Sequence, residues 1–481
     1  MVPRSTFVAL AVAALLSACA VGPDYVRPTL PVPPAYKEAG DWKPADPRPA
    51  ASGLAWWQVY GDPVLNALEA DAQGANQNIR QAEATYRQAR AIVDEDRSGL
   101  FPTLGLNLGA DRGRTDPTGV PRTGNSYSLG LAGSWEPDLW GSVRRTIESG
   151  TASAQASADD LAAARLSIQT TLAQDYVQLR IADQQRDMYA TTIAAYAKAL
   201  KLTRAQHAAG ITLQSDVALA EAQLAQAQAA DVDLEATRAQ LEHAVAVLTG
   251  RAPAQLDVTR AVADQPLSLR PPATPEGLPS DLLEHRPDIA GAERRADAAN
   301  ANIGVAKAAY FPQLTLSASG GFGAAALGNL FDTPGRVWSL GAALAQTVFD
   351  GGLRRARTAQ AEAAYDITVA EYKQTVLGGF QQVEDNLALL RLLARETTFQ
   401  DQAVRSSQQA EQIALAQYRA GTNSYLNVVT AQTLSLTNQR TAVQLRGRLL
   451  AASISLVSAT GGGWSATDPL ASAAATPAPP Q

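Results

Sequence analysis

Residues 280–323, SDLLEHRPDIAGAERRADAANANIGVAKAAYFPQLTLSASGGFG, repeat a pattern already present upstream in IRQAEATYRQARAIVDEDRSGLFPTLGLNLGADRG. Each copy has a helical run, a Phe–Pro break, and then an alternation of apolar with small or polar residues. Phe101 matches Phe311 and Ile79 matches Ile289 at an offset of 210 residues; Gly141 with Gly352, Gly210 with Gly421 and Gly250 with Gly461 follow at 211. Two copies of a helix–strand–strand–helix–helix module therefore fill most of the chain. A period this long is a duplicated domain rather than a solenoid repeat. Local chemistry agrees with the element boundaries. Pro287 suits a first helical turn, where proline's missing N–H costs no intrahelical bond. Phe311, preceding Pro312, is pushed out of the α region and ends the helix.

The alternating stretches predict strands at about 101–112 and 125–136, and again at about 312–323 and 337–349. Leu104, Leu106, Leu108 and Ala110 form one apolar face, and Tyr127, Leu129, Leu131 and Trp135 another. Trp338, Leu340, Ala342 and Leu344 do the same in the second copy. The opposite faces are small and polar, and DRGRTDPTGVPRTGN between the first two strands is a loop. A transmembrane β-barrel needs this arrangement. A soluble hairpin packed on helices shows it too, and the pattern alone leaves both open.

Each hairpin of strands is followed by a helical hairpin, over 142–249 and 353–460. No proline occurs from Ser142 to His207 or from Leu353 to Arg419, so each first arm spans roughly 100 Å as one helix. Helices of that length imply a coiled coil. Leu213, Val217, Ala220, Leu224, Ala227, Leu234, Leu241, Val245 and Leu248 lie on a heptad frame broken at Asp231 and Arg238. The turns are short, with Gly210 and Gly421 as C-caps.

The remaining segments divide the chain further. Arg4 followed by FVALAVAALL reads as an export signal over 1–18, too short to span a membrane. Leu16-Ser17-Ala18-Cys19 resembles a bacterial lipobox, which implies a mature chain starting at acylated Cys19, with Ala20 implying sorting to the outer membrane. Residues 19–60 begin as a proline-rich tether, 61–250 and 280–463 are the two repeats, 251–279 are a linker, and 464–481 are expected to be disordered. With 40 basic and 46 acidic residues, the charge argues against a nucleic-acid partner. His207, His243 and His285 are scattered and form no metal-ligand spacing, so no metal is expected. Gly321-Phe322-Gly323 imitates a nucleotide-binding turn, but Pro334-Gly335 intervenes before any long helix.

If the strands lie in lipid, each chain supplies only four, and a four-stranded sheet has open edges. Unpaired backbone groups in hydrocarbon cost several kcal/mol each, so the sheet must close with other copies. Two copies would give eight strands and three would give twelve. An eight-stranded barrel is filled by side chains, whereas the inward Gly, Ser, Thr and Asn here are too small to plug one. A trimer with an open pore follows.

The run LPSDLLEHRPDIAGAERRADAANANIGVAKAAYFPQL, with WEPDLWG at 135–141 and YRAGTNSYLNVVTAQ at 418–432, resembles the outer-membrane efflux channels of the TolC-like family. Within that family it is similar to the lipoprotein branch serving resistance–nodulation–division (RND) pumps. The resemblance spans roughly residues 20–463. It implies a mixed fold: a homotrimeric, twelve-stranded transmembrane β-barrel continuous with a twelve-helix periplasmic α-barrel, girdled by an equatorial belt that holds the linker. It implies a periplasmic adaptor, an inner-membrane proton-driven RND transporter and outer-membrane lipid as partners. It implies no catalysis and no cofactor, only passage of small molecules such as drugs. Adaptor contacts fall on Ala209, Gly210, Ile211 and Thr212, and on Arg419, Ala420, Gly421 and Thr422. Asp216 and Tyr418 match the lock of the periplasmic aperture. Asn423 stands where some members have arginine, and Asn427 and Thr430 where they have acids, so the aperture should be held less by ions. Two other readings compete: the outer-membrane channel of a type I protein secretion system, and a lipid-anchored coiled coil with no pore.

Overall fold

The computed structural model describes residues 20–38, 55–115, 122–260 and 285–464. The signal segment, Cys19, most of the linker and the tail after Trp464 fall outside them. A 3-10 turn at Trp56–Tyr60 leads into α1 (Pro63–Ala75) and α2 (Gln77–Ser98), then β1 (Thr103–Thr115) and β2 (Arg122–Trp135). The helical hairpin α3 (Ser142–Ala208) and α4 (Gln214–Leu248) closes the first repeat. The second gives α5 (Pro287–Ala308), β3 (Gln313–Ala324), β4 (Arg336–Ala345), α6 (Leu353–Arg419) and α7 (Tyr425–Ala459). The expected tandem arrangement of strands and long helices is therefore present.

Short-range chemistry sets the helix starts. The Asp62 carboxylate accepts from the N–H groups of Val64 and Leu65 at 2.8 and 3.1 Å, with Pro63 at the first position. Asn76 does the same for α2, accepting from Asn78 and Ile79. The 67-residue helices α3 and α6 are each entered through a left-handed glycine, Gly141 (φ 82°) and Gly352 (φ 95°). There Asp138 and Asp350, a few residues upstream, accept from first-turn N–H groups.

The four strands form one antiparallel sheet in the order β1-β2-β3-β4. Its register carries the leucines, Trp135, Phe322 and Trp338 to the same side, with Val337 on the other. Leu106 lies opposite Leu131, Leu131 opposite Gly320, and Gly320 opposite Trp338. Leu104, Leu108, Leu129, Trp135, Leu316, Phe322, Leu340 and Leu344 share that face, while Asn107, Ser128, Ser134, Ser317 and Ser339 share the other. Where the two hairpins meet, Gly130 faces Gly321, and a Cβ on Gly321 would come within 2.3 Å of the Leu129 carbonyl oxygen. Only glycine fits that crossing. β4 stops at Ala345, short of the expected 349, because Ala345 pairs with Gln313 and Pro312 has no N–H to extend the ladder.

Below the sheet, the two helical hairpins lie side by side. Their widest core joins Trp56, Trp57, Tyr60 and Leu65 to Leu172, Tyr176, Val245 and Ile454. Polar tips in it are satisfied: Trp56 Nε1 donates to Gln169 (3.1 Å), and the Tyr60 and Ser453 hydroxyls are 2.9 Å apart. The breaks in the α4 heptad frame are cross-links. Asp231 accepts from Arg186 of α3 at 3.1 Å, and Arg238 donates to Asp183, which is 1% exposed, at 2.8 Å. Arg238 also bonds Glu242 and the Val258 carbonyl, tying the start of the linker to the belt.

The proline-rich segment 20–38 has no regular structure of its own and runs packed against the body. Val21 N–H donates to the Trp140 carbonyl at 3.1 Å, and Arg145 bonds the Val21 and Gly22 carbonyls and Asp24. Further along, Arg27 pairs with Glu293 of α5, and the Lys37 and Glu38 N–H groups donate to the Glu384 carboxylate of α6.

Candidate functional site

The far ends of the helical hairpins, away from the sheet, hold the residues the sequence singles out. Both turns are built alike. Gly210 and Gly421 each adopt φ 72°, their N–H groups donate to His207 and Tyr418, and the next N–H groups, of Ile211 and Thr422, reach back to Gln206 and Gln417. This six-to-one and five-to-two bonding is the Schellman arrangement, and the left-handed residue in it is glycine. Ala209, Gly210, Ile211, Arg419, Ala420, Gly421 and Thr422 are exposed on these tips, while Thr212 is half-buried.

The same four-residue contact follows each turn. In the first tip the Thr212 hydroxyl donates to the Asp216 carboxylate. In the second the Asn427 amide donates to the Asn423 side-chain oxygen, and Asn423 also donates to Gln417 at 3.0 Å. The offset of 211 carries Thr212 to Asn423 and Asp216 to Asn427. One motif is thus ionic in the first repeat and neutral in the second.

Beneath the turns, Leu200, Val217, Ala220, Ala414, Tyr418, Tyr425 and Val428 bind all four helices together. Tyr418 and Tyr425 are tilted against each other with ring centroids 5.2 Å apart. Tyr418 donates to Gln206 at 2.6 Å and lies 3.3 Å from the Thr203 hydroxyl. Burial pushes the Tyr425 phenol up to about 12, with Tyr418, Tyr196 and Asp216 adding to the shift. The structure brings Asp216 and Tyr418 to one end of the molecule but gives them separate partners within a single chain. Thr430 stands apart, exposed, with its hydroxyl on the Leu426 carbonyl.

Gln206, Thr203, Tyr425 and the buried Gln223–Gln432 pair (3.2 Å) belong to the same end, and motif reading misses them. The repeat offset contains part of the signal: aligning the tips puts Asn423 and Asn427 on Thr212 and Asp216 before any coordinates are known.

At the other end of the helices, aromatic residues mark the join to the sheet. Trp140 stacks on Phe311 at 4.8 Å and donates to the Pro312 carbonyl at 2.7 Å; Trp135 donates to the Leu100 carbonyl at 3.1 Å. Rings with one polar atom suit a membrane–water boundary.

Comparison with known proteins places this geometry. The model of the family described as "Outer membrane efflux protein" matches twice, at residues 68–251 and 278–462. The toluene efflux pump outer membrane protein TtgF of Pseudomonas putida is 31% identical over 474 residues, covering 96% of this chain and 97% of that protein. The outer membrane protein OprJ of Pseudomonas aeruginosa is 32% identical over 463 residues, covering 95% of each. The solved outer-membrane channel OprN superposes with a TM-score of 0.87 at 31% identity, covering 93% of this chain and all of that one.

Proposed function

The chain belongs to the outer membrane efflux protein family, a family of channels and not of enzymes, and from that premise we propose that three copies form one passive conduit through the outer membrane and into the periplasm. The observation that carries this reading is the sheet. Over most of their length the four strands turn large apolar residues to one side and small or polar ones to the other, and among the described residues the outer edges of β1 and β4 have no strand partner. Such a sheet in lipid closes only by sharing edges with further copies, and its small inner residues leave the lumen open. The long helices continue that lumen toward the inner membrane, where an RND transporter drives small molecules into it through a periplasmic adaptor.

The tips supply the adaptor contacts, at Ala209, Gly210, Ile211, Thr212, Arg419, Ala420, Gly421 and Thr422. Asp216, Tyr418, Asn423, Asn427 and Thr430 line the aperture. An amide pair in the second tip in place of an acid holds that aperture with less charge. The anchor is acylated Cys19. Its neighbour Ala20 lies against Gly141, beside Trp140, so the acyl chains would enter the bilayer at the base of the sheet.

Purified protein in planar bilayers is expected to give discrete conductance steps, and their absence with correctly inserted protein would contradict the conduit. Cys19→Ser is expected to change electrophoretic mobility and weaken outer-membrane partitioning. Unchanged behaviour in both would remove the anchor.

A further inference from the structure

The apolar side of the sheet changes character at the end away from the helices. On β1, Leu104, Leu106, Leu108 and Ala110 are followed on the same face by Arg112 and Arg114. On β4, Leu344, Ala342, Leu340 and Trp338 lead in the same way to Arg336. The duplication sets these charges at one level. Arg112 pairs with Asn125, and the offsets of 210 and 211 carry that pair onto Phe322 and Arg336, which pair in the second hairpin. At about 3.4 Å per residue and a tilt of about 40°, Arg112 and Arg114 stand roughly 21 and 26 Å above Leu104. That is the upper limit of an apolar band about 25 Å tall, so the arginines meet headgroups rather than hydrocarbon.

All three arginines are exposed, and their guanidinium groups have no ion pair or hydrogen bond among the described residues. Asp111, beside Arg112 in sequence, turns to the inner face, where its carboxylate lies 3.7 Å from the place a Cβ on Gly109 would take. Arg336 rests on aromatic rings. Its guanidinium carbon is 6.0 Å from the Phe322 ring centroid, and Phe322 meets Phe331 edge-on with centroids 5.5 Å apart. Phe331 is 68% exposed and Trp338 78%, so bare apolar surface adjoins the cation. Unpaired positive charge above uncovered rings suits an amphiphile with an anionic head.

We propose that this rim binds the phosphate groups of lipopolysaccharide, the phosphorylated glycolipid of the outer leaflet, with one site at each seam between copies. This rests on the conduit reading, which puts the helices in the periplasm and the rim outside. β1 and β4 are the edge strands, so closing the ring sets Arg336 of one copy near the partner's Arg112 and Arg114. Three guanidinium forks then converge on one phosphorylated head, a match of planar donors to phosphate oxygens that a single ammonium lacks. The acyl chains lie down the leucine face beside Trp338 and Phe331. A phospholipid of the periplasmic leaflet sits at the other end of the sheet and does not reach these charges.

The test uses the full-length protein in detergent, stripped of lipid and incubated with bis-phosphorylated lipid A. Native mass spectrometry reads bound lipid and chain number together. The parent is expected to retain lipid A. Arg112→Ser with Arg114→Ser and Arg336→Ser is expected to bind it roughly a hundredfold more weakly, about fivefold for each cation removed. Dephosphorylated lipid A and phosphatidylglycerol are the comparison probes, each expected to bind the parent at least about tenfold more weakly than the phosphorylated form. Should the serine variant not insert, Arg112→Lys with Arg114→Lys and Arg336→Lys keeps the charge but loses the forks, and is expected to bind roughly fivefold more weakly. Equal retention by parent and variant, or equal retention of either comparison probe, in a particle that still holds three chains would overturn the site and leave the conduit standing. A single-chain particle, with or without lipid, would overturn the conduit reading on which the seam depends.

Discussion

The two repeats share a backbone plan offset by 210 or 211 residues, yet they hold themselves together by different forces. At the belt of the first, Asp183 is buried between Arg180 and Arg238, and Arg238 also bonds Glu242. The positions equivalent to Asp183, Arg238 and Glu242 in the second are Ala394, Leu449 and Ser453, beside a cluster of Leu387, Leu390, Leu393, Leu445 and Leu456. The tips differ in the same direction, Asp216 against Asn427. Helices α2 and α5, each 22 residues long, differ most of all: α5 buries twelve residues and α2 only Ile79 and Val93. α5 packs against α3, α6 and the N-terminal segment, whereas α2 packs against α3, and in the proposed trimer α6 of another copy would cover it in the same way. One fold plan thus tolerates ions or leucines at its centre, and α2, the less buried of its two paired helices, is the one the proposed trimer would cover.

The largest expected effect tests whether the belt ions are interchangeable with leucine. Arg238→Leu alone leaves Asp183 and Glu242 short of a cation in a dry setting and should cost about 3 kcal/mol. Arg238→Leu together with Asp183→Ala copies two of those three positions, leaving only Glu242 to lose its ion pair, and should recover more than half of that loss. Thermal unfolding in detergent checks both, and a double variant as weak as the single one would break the comparison.

Next comes the contrast between α2 and α5. A Cβ on Gly304 would meet Arg145 Cγ and the Val21 carbonyl oxygen at 2.8 Å each, so Gly304→Leu should cost about 2 kcal/mol and loosen the N-terminal segment to proteolysis. Its counterpart Asp94 is exposed, and Asp94→Leu should change chain stability by less than about 0.5 kcal/mol. Equal losses would mean that α2 is a core helix already.

A smaller effect is tied to pH. Glu69 of α1 is fully buried, neither carboxylate oxygen has a hydrogen-bond partner, and burial pushes its pKa from 4.5 up to about 9. Above pH 4.5 the unfolded chain releases a proton that the folded chain keeps, so this group's contribution falls as pH rises toward about 9. Glu69→Gln should remove that slope, so that the stability gained by the variant is larger at pH 8 than at pH 5. Parallel pH profiles of the two proteins would contradict it.

The smallest effect is at the tips. Asn427→Asp gives the second tip the acid of the first and should raise single-channel cation preference by roughly twofold. An unchanged preference would show that tip charge does not set selectivity.

Much of this architecture was legible before any coordinates. The repeat offset, the Phe–Pro breaks, the alternating strands and the glycine turns all act over a few residues, where sequence and backbone are directly coupled. What sequence left open depends on residues far apart in the chain. Asp183 and Arg238 meet across two helices, and on a heptad frame Arg238 looked like a defect rather than one side of an ion pair. The path of residues 20–38 was hidden because many of its contacts are backbone groups against Arg145, Asn300 and Glu384, and the rest are single ion pairs such as Arg27–Glu293, none of which leaves a periodic trace. At the tips, the glycines were found by motif, but the Thr212–Asp216 and Asn423–Asn427 pairs emerge only when the repeats are superposed.

Native mass spectrometry of the detergent-solubilised protein weighs the central idea directly, because a sheet with two free edges is incomplete as a single copy. A particle of three chains that survives removal of detergent is predicted. A stable one-chain particle, with β1 and β4 protected against its own helices, would contradict it.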